Sequence, residues 1–166
     1  MDVSLFHDYA WWQSPHHQAG TLIGVRRNIA LTTQPRPILE SSLVTGRISA
    51  ILPQTPNDPI VLISAYCPSQ TSPTALEQRK NLDNHINSVM NAQKCIPVLM
   101  GDMNATYKSS DRSSSTTCQK DKQYRGFLEG SSLKPIDAHL PIRPCTFKTC
   151  TESNQNCHNS YLQPHR

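Results

Sequence analysis

The stretch Pro97-Val98-Leu99-Met100-Gly101-Asp102-Met103-Asn104-Ala105 places a carboxylate and a carboxamide two residues apart, just beyond an apolar run and a glycine. In extended backbone, residues two apart share a face, so Asp102 and Asn104 would project together from the end of a buried strand. A hard oxygen ligand beside a neutral hydrogen-bonding amide suits a bound Mg²⁺ or Mn²⁺ and an oriented phosphate. The same residues also make an ordinary Gly-Asp turn at a strand end. Other chemistry-bearing residues favour plainer readings. Arg47 alternates along a strand and reads as a solvated side chain, and Asp137 reads as a turn anchor. His16-His17 reads as a pair of surface imidazoles. Cys145, Cys150, Cys157 and His158 have spacings unlike a short zinc knuckle.

Several elements must hold the Asp102 segment in place. Gly20 to Val25 reads as a strand continuing loosely through Asn28-Ile29-Ala30-Leu31, with Pro35 and Pro37 as breaks. Val44 to Leu52 alternates as a half-buried strand, and Ile60 to Ala65 is a nearly continuous apolar run. The turn cluster Gln54 to Pro59 joins these two into an antiparallel hairpin, the second strand lying central in its sheet. Thr74-Ala75-Leu76-Glu77 fits a capping box, and Leu82, Ile86, Val89 and Met90 follow on one helical face. That helix should end near Gln93, with Ile96 to Met100 as the next buried strand. Tyr124, Phe127 and Leu128 suggest a short helix closed by Gly130. A hairpin, a helix and a strand in that order is an α/β layered arrangement.

The 166 residues suffice for one domain with a core, and hydrophobic content is 36% against 17% charged. The remainder is rich in Ser, Thr, Asn, Gln and Pro, which implies a polar, loop-rich chain. A net charge of +4 permits a polyanionic partner. Six cysteines without paired short spacing, behind an N-terminus that lacks a signal-peptide pattern, fit reduced thiols in an intracellular protein that is not secreted. No apolar run reaches membrane-spanning length, which argues against a membrane protein. Ser109 to Thr117 is an aperiodic polar loop that includes Arg112, and Lys148 to Arg166 has almost no apolar content.

Four segments in order resemble the endonuclease/exonuclease/phosphatase superfamily. They are Ala19-Gly20-Thr21-Leu22-Ile23-Gly24-Val25-Arg26-Arg27; then Gly46-Arg47-Ile48 leading to Leu62-Ile63-Ser64-Ala65-Tyr66-Cys67-Pro68-Ser69; then Gly101-Asp102-Met103-Asn104-Ala105; and finally Leu133 to Phe147. The variant is most similar to the apurinic-endonuclease-like domain of non-LTR retrotransposons. The resemblance implies an α/β fold that is part of a four-layer α/β/β/α sandwich of DNase I-like type. Residues 1–147 would form a partial domain and residues 148–166 a disordered or degenerate tail.

It also implies a function: a metal-dependent DNA endonuclease, nuclear if retrotransposon-derived, that hydrolyses phosphodiester bonds with a metal-activated water. On this resemblance Asp102 would bind Mg²⁺ or Mn²⁺ and position the water. Asn104 would bond a phosphate oxygen or hold Asp102, and Tyr66 would put its hydroxyl on the scissile phosphate. Sequence alone also allows the Tyr66 ring simply to pack at a strand end. Complete members open with a strand bearing an asparagine and another ending in Gln-Glu, and close with a Ser-Asp-His triplet. No residue of this sequence takes those places, so the domain is expected to be incomplete at both termini. The alternative function is therefore a catalytically inactive remnant that binds nucleic acid weakly. A lipid or inositol phosphate phosphatase lacks the basic cluster it would need.

Overall fold

Strand β5 (Ile60–Tyr66) lies inside the larger sheet because its β-branched run can be buried on the pleat. In the computed structural model, which describes residues 7–14, 20–38, 46–56, 59–107 and 118–135, it has a neighbour on each side. Strand β4 (Ile48–Leu52) pairs with it antiparallel, Ile48 opposite Ala65, and β6 (Ile96–Asp102) pairs with it parallel, Ile60 opposite Ile96. The two-residue β3 (Arg36–Pro37) adds to β4 and completes the order β3-β4-β5-β6. A second sheet is the antiparallel pair of β1 (Tyr9–Gln13) and β2 (Leu22–Arg26). The chain divides into two compact units, Met1–Leu133 and Lys134–Arg166, and every strand and helix described belongs to the first.

A parallel neighbour needs a crossover. Here it is helix α2 (Pro73–Gln93), which ends at the residue expected. Its start differs from the expected capping box at Thr74. Ser72 caps it instead, accepting from the Ala75 amide at 3.3 Å, and Pro73 stands in the first turn where a missing N–H costs nothing. Leu82, Ile86 and Val89 are at most 1% exposed and meet Val61, Ile63 and Ala65 of β5. Burying each such side chain contributes roughly 1.5–3 kcal/mol. Helix α3 (Gln119–Gly130) adds Phe127 and Leu128 to the same cluster. It continues through Gly130, and its end is formed by Ser131 and Ser132, the latter at φ 57°, with the Leu133 amide donating to the Leu128 carbonyl.

The other face of the sheet is apolar too. Ile23 and Val25 of β2 pack on Ile51 of β4, and Thr21 Oγ1 lies 2.7 Å from Ser49 Oγ inside that contact. Strand β4 is thus buried on both faces rather than half-buried, the Ser49 hydroxyl being satisfied by Thr21. The described residues make helix, sheet and sheet layers in that sequence. This is a mixed α/β fold.

Three further expectations need correction. Asn28 to Leu31 is not a strand continuation but the middle of helix α1 (Arg27–Thr33). The Thr32 and Thr33 hydroxyls donate back to the Asn28 and Ile29 carbonyls, and Gln34 at φ 40° ends the helix before Pro35. Pro37 lies in an edge strand, which it can join without a donor. Strand β6 is not a buried strand: Ile96, Val98 and Met100 are 53%, 39% and 41% exposed, and Leu99 is the residue packed toward the helices. His16-His17, Arg112, Asp137, Cys145, Cys150, Cys157, His158 and the segment 136–166 lie outside the described residues. Among the described residues, no helix is long and apolar enough to cross a membrane.

Candidate active site

The parallel register of β5 and β6 brings their C-terminal ends level, with Ala65 beside Gly101 and Tyr66 beside Asp102. Alternation along β5 turns Val61, Ile63 and Ala65 toward the helices, which assigns Tyr66 and its register partner Asp102 to the opposite face. The close approach depends on Gly101. It sits at φ 124°, and a Cβ there would lie 1.9 Å from the Ala65 carbonyl oxygen.

Asp102 is exposed, and its Oδ1 accepts the Asn104 backbone N–H at 2.9 Å. Its Oδ2 has no partner among the described residues. Asn104 adopts φ 47°, so the chain has left the extended region and Asp102 and Asn104 do not project side by side as strand neighbours. They form instead an Asx turn, in which a side-chain oxygen takes an amide two residues on. The Asn104 Nδ2 donates to the Cys67 carbonyl at 2.9 Å, and the Cys67 amide donates to the Asp102 carbonyl at 2.9 Å. The Asn104 backbone amide thus bonds the Asp102 carboxylate, while its side chain ties the turn to the strand end at Cys67.

Tyr66 is 38% exposed. The Arg47 guanidinium stands 5.3 Å from its ring centroid and donates to its carbonyl at 3.4 Å, while the Tyr66 amide donates to the Arg47 carbonyl at 2.9 Å. Arg47 is therefore not the free solvated side chain that alternation suggested. It sits over the aromatic face, where a cation is attracted by the ring. Cys67, only 2% exposed, lies directly behind, its Sγ 3.8 Å from the Met103 sulfur. Burial pushes its thiol up to about 11, and Asp83 and Asp102 push the same way against Arg79 and Arg47. It is thus an inert packing residue, not a nucleophile. A lone cysteine after a strand-end tyrosine carries no sequence signal of that role.

Mg²⁺ keeps most of its waters and is held by one or two carboxylates together with substrate phosphates. Asp102 fits that requirement, being exposed with one oxygen free. Among the described residues, no group of three or more His, Cys, Asp or Glu makes an all-protein cage.

No family model matches this chain, and no curated protein matches it. Its fold is similar to that of two solved structures. The AP endonuclease LMAP from Leishmania major aligns with a TM-score of 0.59 at 15% identity, over 75% of this chain and 50% of that one. The endonuclease domain of TRAS1, a telomere-specific non-LTR retrotransposon, aligns with a TM-score of 0.49 at 20% identity, over 75% of this chain and 53% of that one. The chain spans about half the length of each of these two structures.

Proposed function

We propose that this chain is part of a DNA endonuclease domain of the apurinic-endonuclease type, derived from a retrotransposon, with its site at the joined ends of β5 and β6. The observation that carries the reading is the meeting of Tyr66 and Asp102 on one face of a parallel strand end, with Asn104 holding the carboxylate. The Tyr66 hydroxyl donates to a non-bridging phosphate oxygen, aided by the Arg47 cation over its ring. Asp102 Oδ2 accepts a proton of the attacking water and orients it at phosphorus; as the new P–O bond forms, the bond to the leaving sugar oxygen breaks and that oxygen takes a proton from solvent. A Mg²⁺ or Mn²⁺ ion held by Asp102 and the substrate phosphate would, when bound, offset charge on the phosphate. Such an activity on chromosomal DNA belongs in the nucleus.

The test is nicking of supercoiled plasmid by the purified chain in Mg²⁺ or Mn²⁺. Asp102→Ala should abolish it, and Tyr66→Phe should slow it by about 10²–10³-fold, the usual effect of removing one preorganised donor. Equal nicking by Asp102→Ala would refute the assignment. DNA binding without nicking by the unaltered chain would refute hydrolysis and make it a nucleic-acid binder, with an affinity that falls steeply as salt rises.

A further inference from the structure

Four consecutive carbonyls at the end of β5 each accept a hydrogen bond from a side chain of a different element. The Tyr66 carbonyl takes Arg47 Nη1 at 3.4 Å and the Cys67 carbonyl takes Asn104 Nδ2 at 2.9 Å. Next, the Pro68 carbonyl takes Arg79 Nη1 of α2 at 2.9 Å, and the Ser69 carbonyl takes Lys120 Nζ of α3 at 2.6 Å. Three of the four donors are cations. Arg79 is the costliest of them: it is 2% exposed, and its Nε has no partner among the described residues. Placing a guanidinium in the interior to bond one carbonyl is expensive even with the Asp83 carboxylate in its field, and a serine or asparagine could fix a loop there at less cost. What the guanidinium adds is charge. Its field and that of Arg47 both reach the Cys67 thiol, directly behind Tyr66.

We infer that Arg79 and Lys120 are positioning residues of the strand-end site, which clamp the Tyr66–Ser69 backbone from the two helices so that Tyr66 is presented to a phosphodiester. The inference rests on the endonuclease reading for its functional half and on the hydrogen bonds alone for its structural half. Among the described residues, the clamp joins each helix to the Tyr66–Ser69 carbonyls through a single side chain. Arg79 does so from within the core, and Lys120 from a half-buried position outside the buried cluster. Neither residue has to touch substrate.

The experiment compares Lys120→Met, Arg79→Met and Arg79→Lys with Leu82→Ala, a control that weakens the core without removing a carbonyl partner. Two readouts are taken: amide exchange at Cys67, whose N–H bonds Asp102, and plasmid nicking resolved into kcat and KM. Lys120→Met should speed exchange at Cys67 while that of Val61 to Ile63 is unchanged. Its kcat should fall about ten- to a hundredfold, the effect of a small misplacement, at nearly constant KM. Arg79→Lys should recover part of what Arg79→Met loses. The clamp is overturned if Lys120→Met and Arg79→Met leave exchange at Cys67 unchanged, or if Leu82→Ala lowers kcat as much at matched stability. Exchange needs no substrate, so absence of nicking by the unaltered chain overturns the endonuclease reading while the clamp is still decided by exchange.

Discussion

The same chemical change, glycine to alanine, should have opposite consequences at Gly101 and Gly126. Gly101 holds φ 124°, a region that costs a side-chain-bearing residue about 1–3 kcal/mol. Its new methyl would lie 1.9 Å from the Ala65 carbonyl oxygen, where ordinary contact begins at 3.4 Å. Strands β5 and β6 must therefore part by about 1.5 Å there, enough to break one or two hydrogen bonds near 2.9 Å, such as that from the Cys67 amide to the Asp102 carbonyl. Each lost bond costs about 0.5–1.5 kcal/mol. Together with the backbone term, the total is about 2–6 kcal/mol, a large part of a typical net stability of about 5–15 kcal/mol. Gly126 stands within α3 with nothing inside 4 Å of a new Cβ. Alanine there should stabilise by about 0.5–1 kcal/mol by restricting the unfolded chain. Urea unfolding followed by tryptophan fluorescence separates the two. Gly101→Ala should lower the midpoint by about 1–3 M at unchanged slope, and Gly126→Ala should raise it by a few tenths of a molar. A Gly101→Ala protein within about 0.5 kcal/mol of the parent would refute the close-approach argument, a change of that size being ordinary for an indifferent surface site.

Two further expectations concern buried carboxylates. Burial pushes the Asp83 carboxyl up to about 7 against the pull of Arg79, so the folded chain binds a proton there that the unfolded chain releases nearer 4. The stability this contributes is fully present below about pH 4 and is lost as pH rises through 7. Asp83→Asn should therefore gain on the parent in urea midpoint between pH 4 and 8, and a constant gap would contradict the shift. Asp121, 1% exposed, accepts the Thr106 amide at 2.9 Å and the Cys118 amide at 3.1 Å. Asp121→Ala orphans both donors and should cost about 2–5 kcal/mol, measured as a drop in Tm, with an unchanged Tm counting against it.

What the residues disclosed in advance was local. The apolar run of β5, the spacing of Leu82, Ile86 and Val89, and the termination of α2 at Gln93 all follow from neighbours within a few positions. The level ends of β5 and β6 made Tyr66 and Asp102 partners, as the motif order implied. The misreadings have nonlocal causes. Asn104 looked like a strand residue, yet its positive φ accompanies a bond to a carbonyl 37 positions away. Ser49 looked like an outward residue of a half-buried strand because Thr21, 28 positions back, supplies its partner. Strand β1 and the helical turn of α1 carry weak periodicity. The burial of β6 was overestimated because an apolar run does not say which of its faces will be covered.

The bond from Asn104 to Cys67 has a consequence for how the site comes into being. Its two halves belong to strands that meet only when the chain between them has folded back as α2, so neither strand alone contains the site. Closing that loop costs entropy that the burial of Leu82, Ile86 and Val89 must offset. Unfolding of α2 as a whole would therefore separate Tyr66 from Asp102 without altering either. The strand-end pair therefore exists only where the whole crossover has folded.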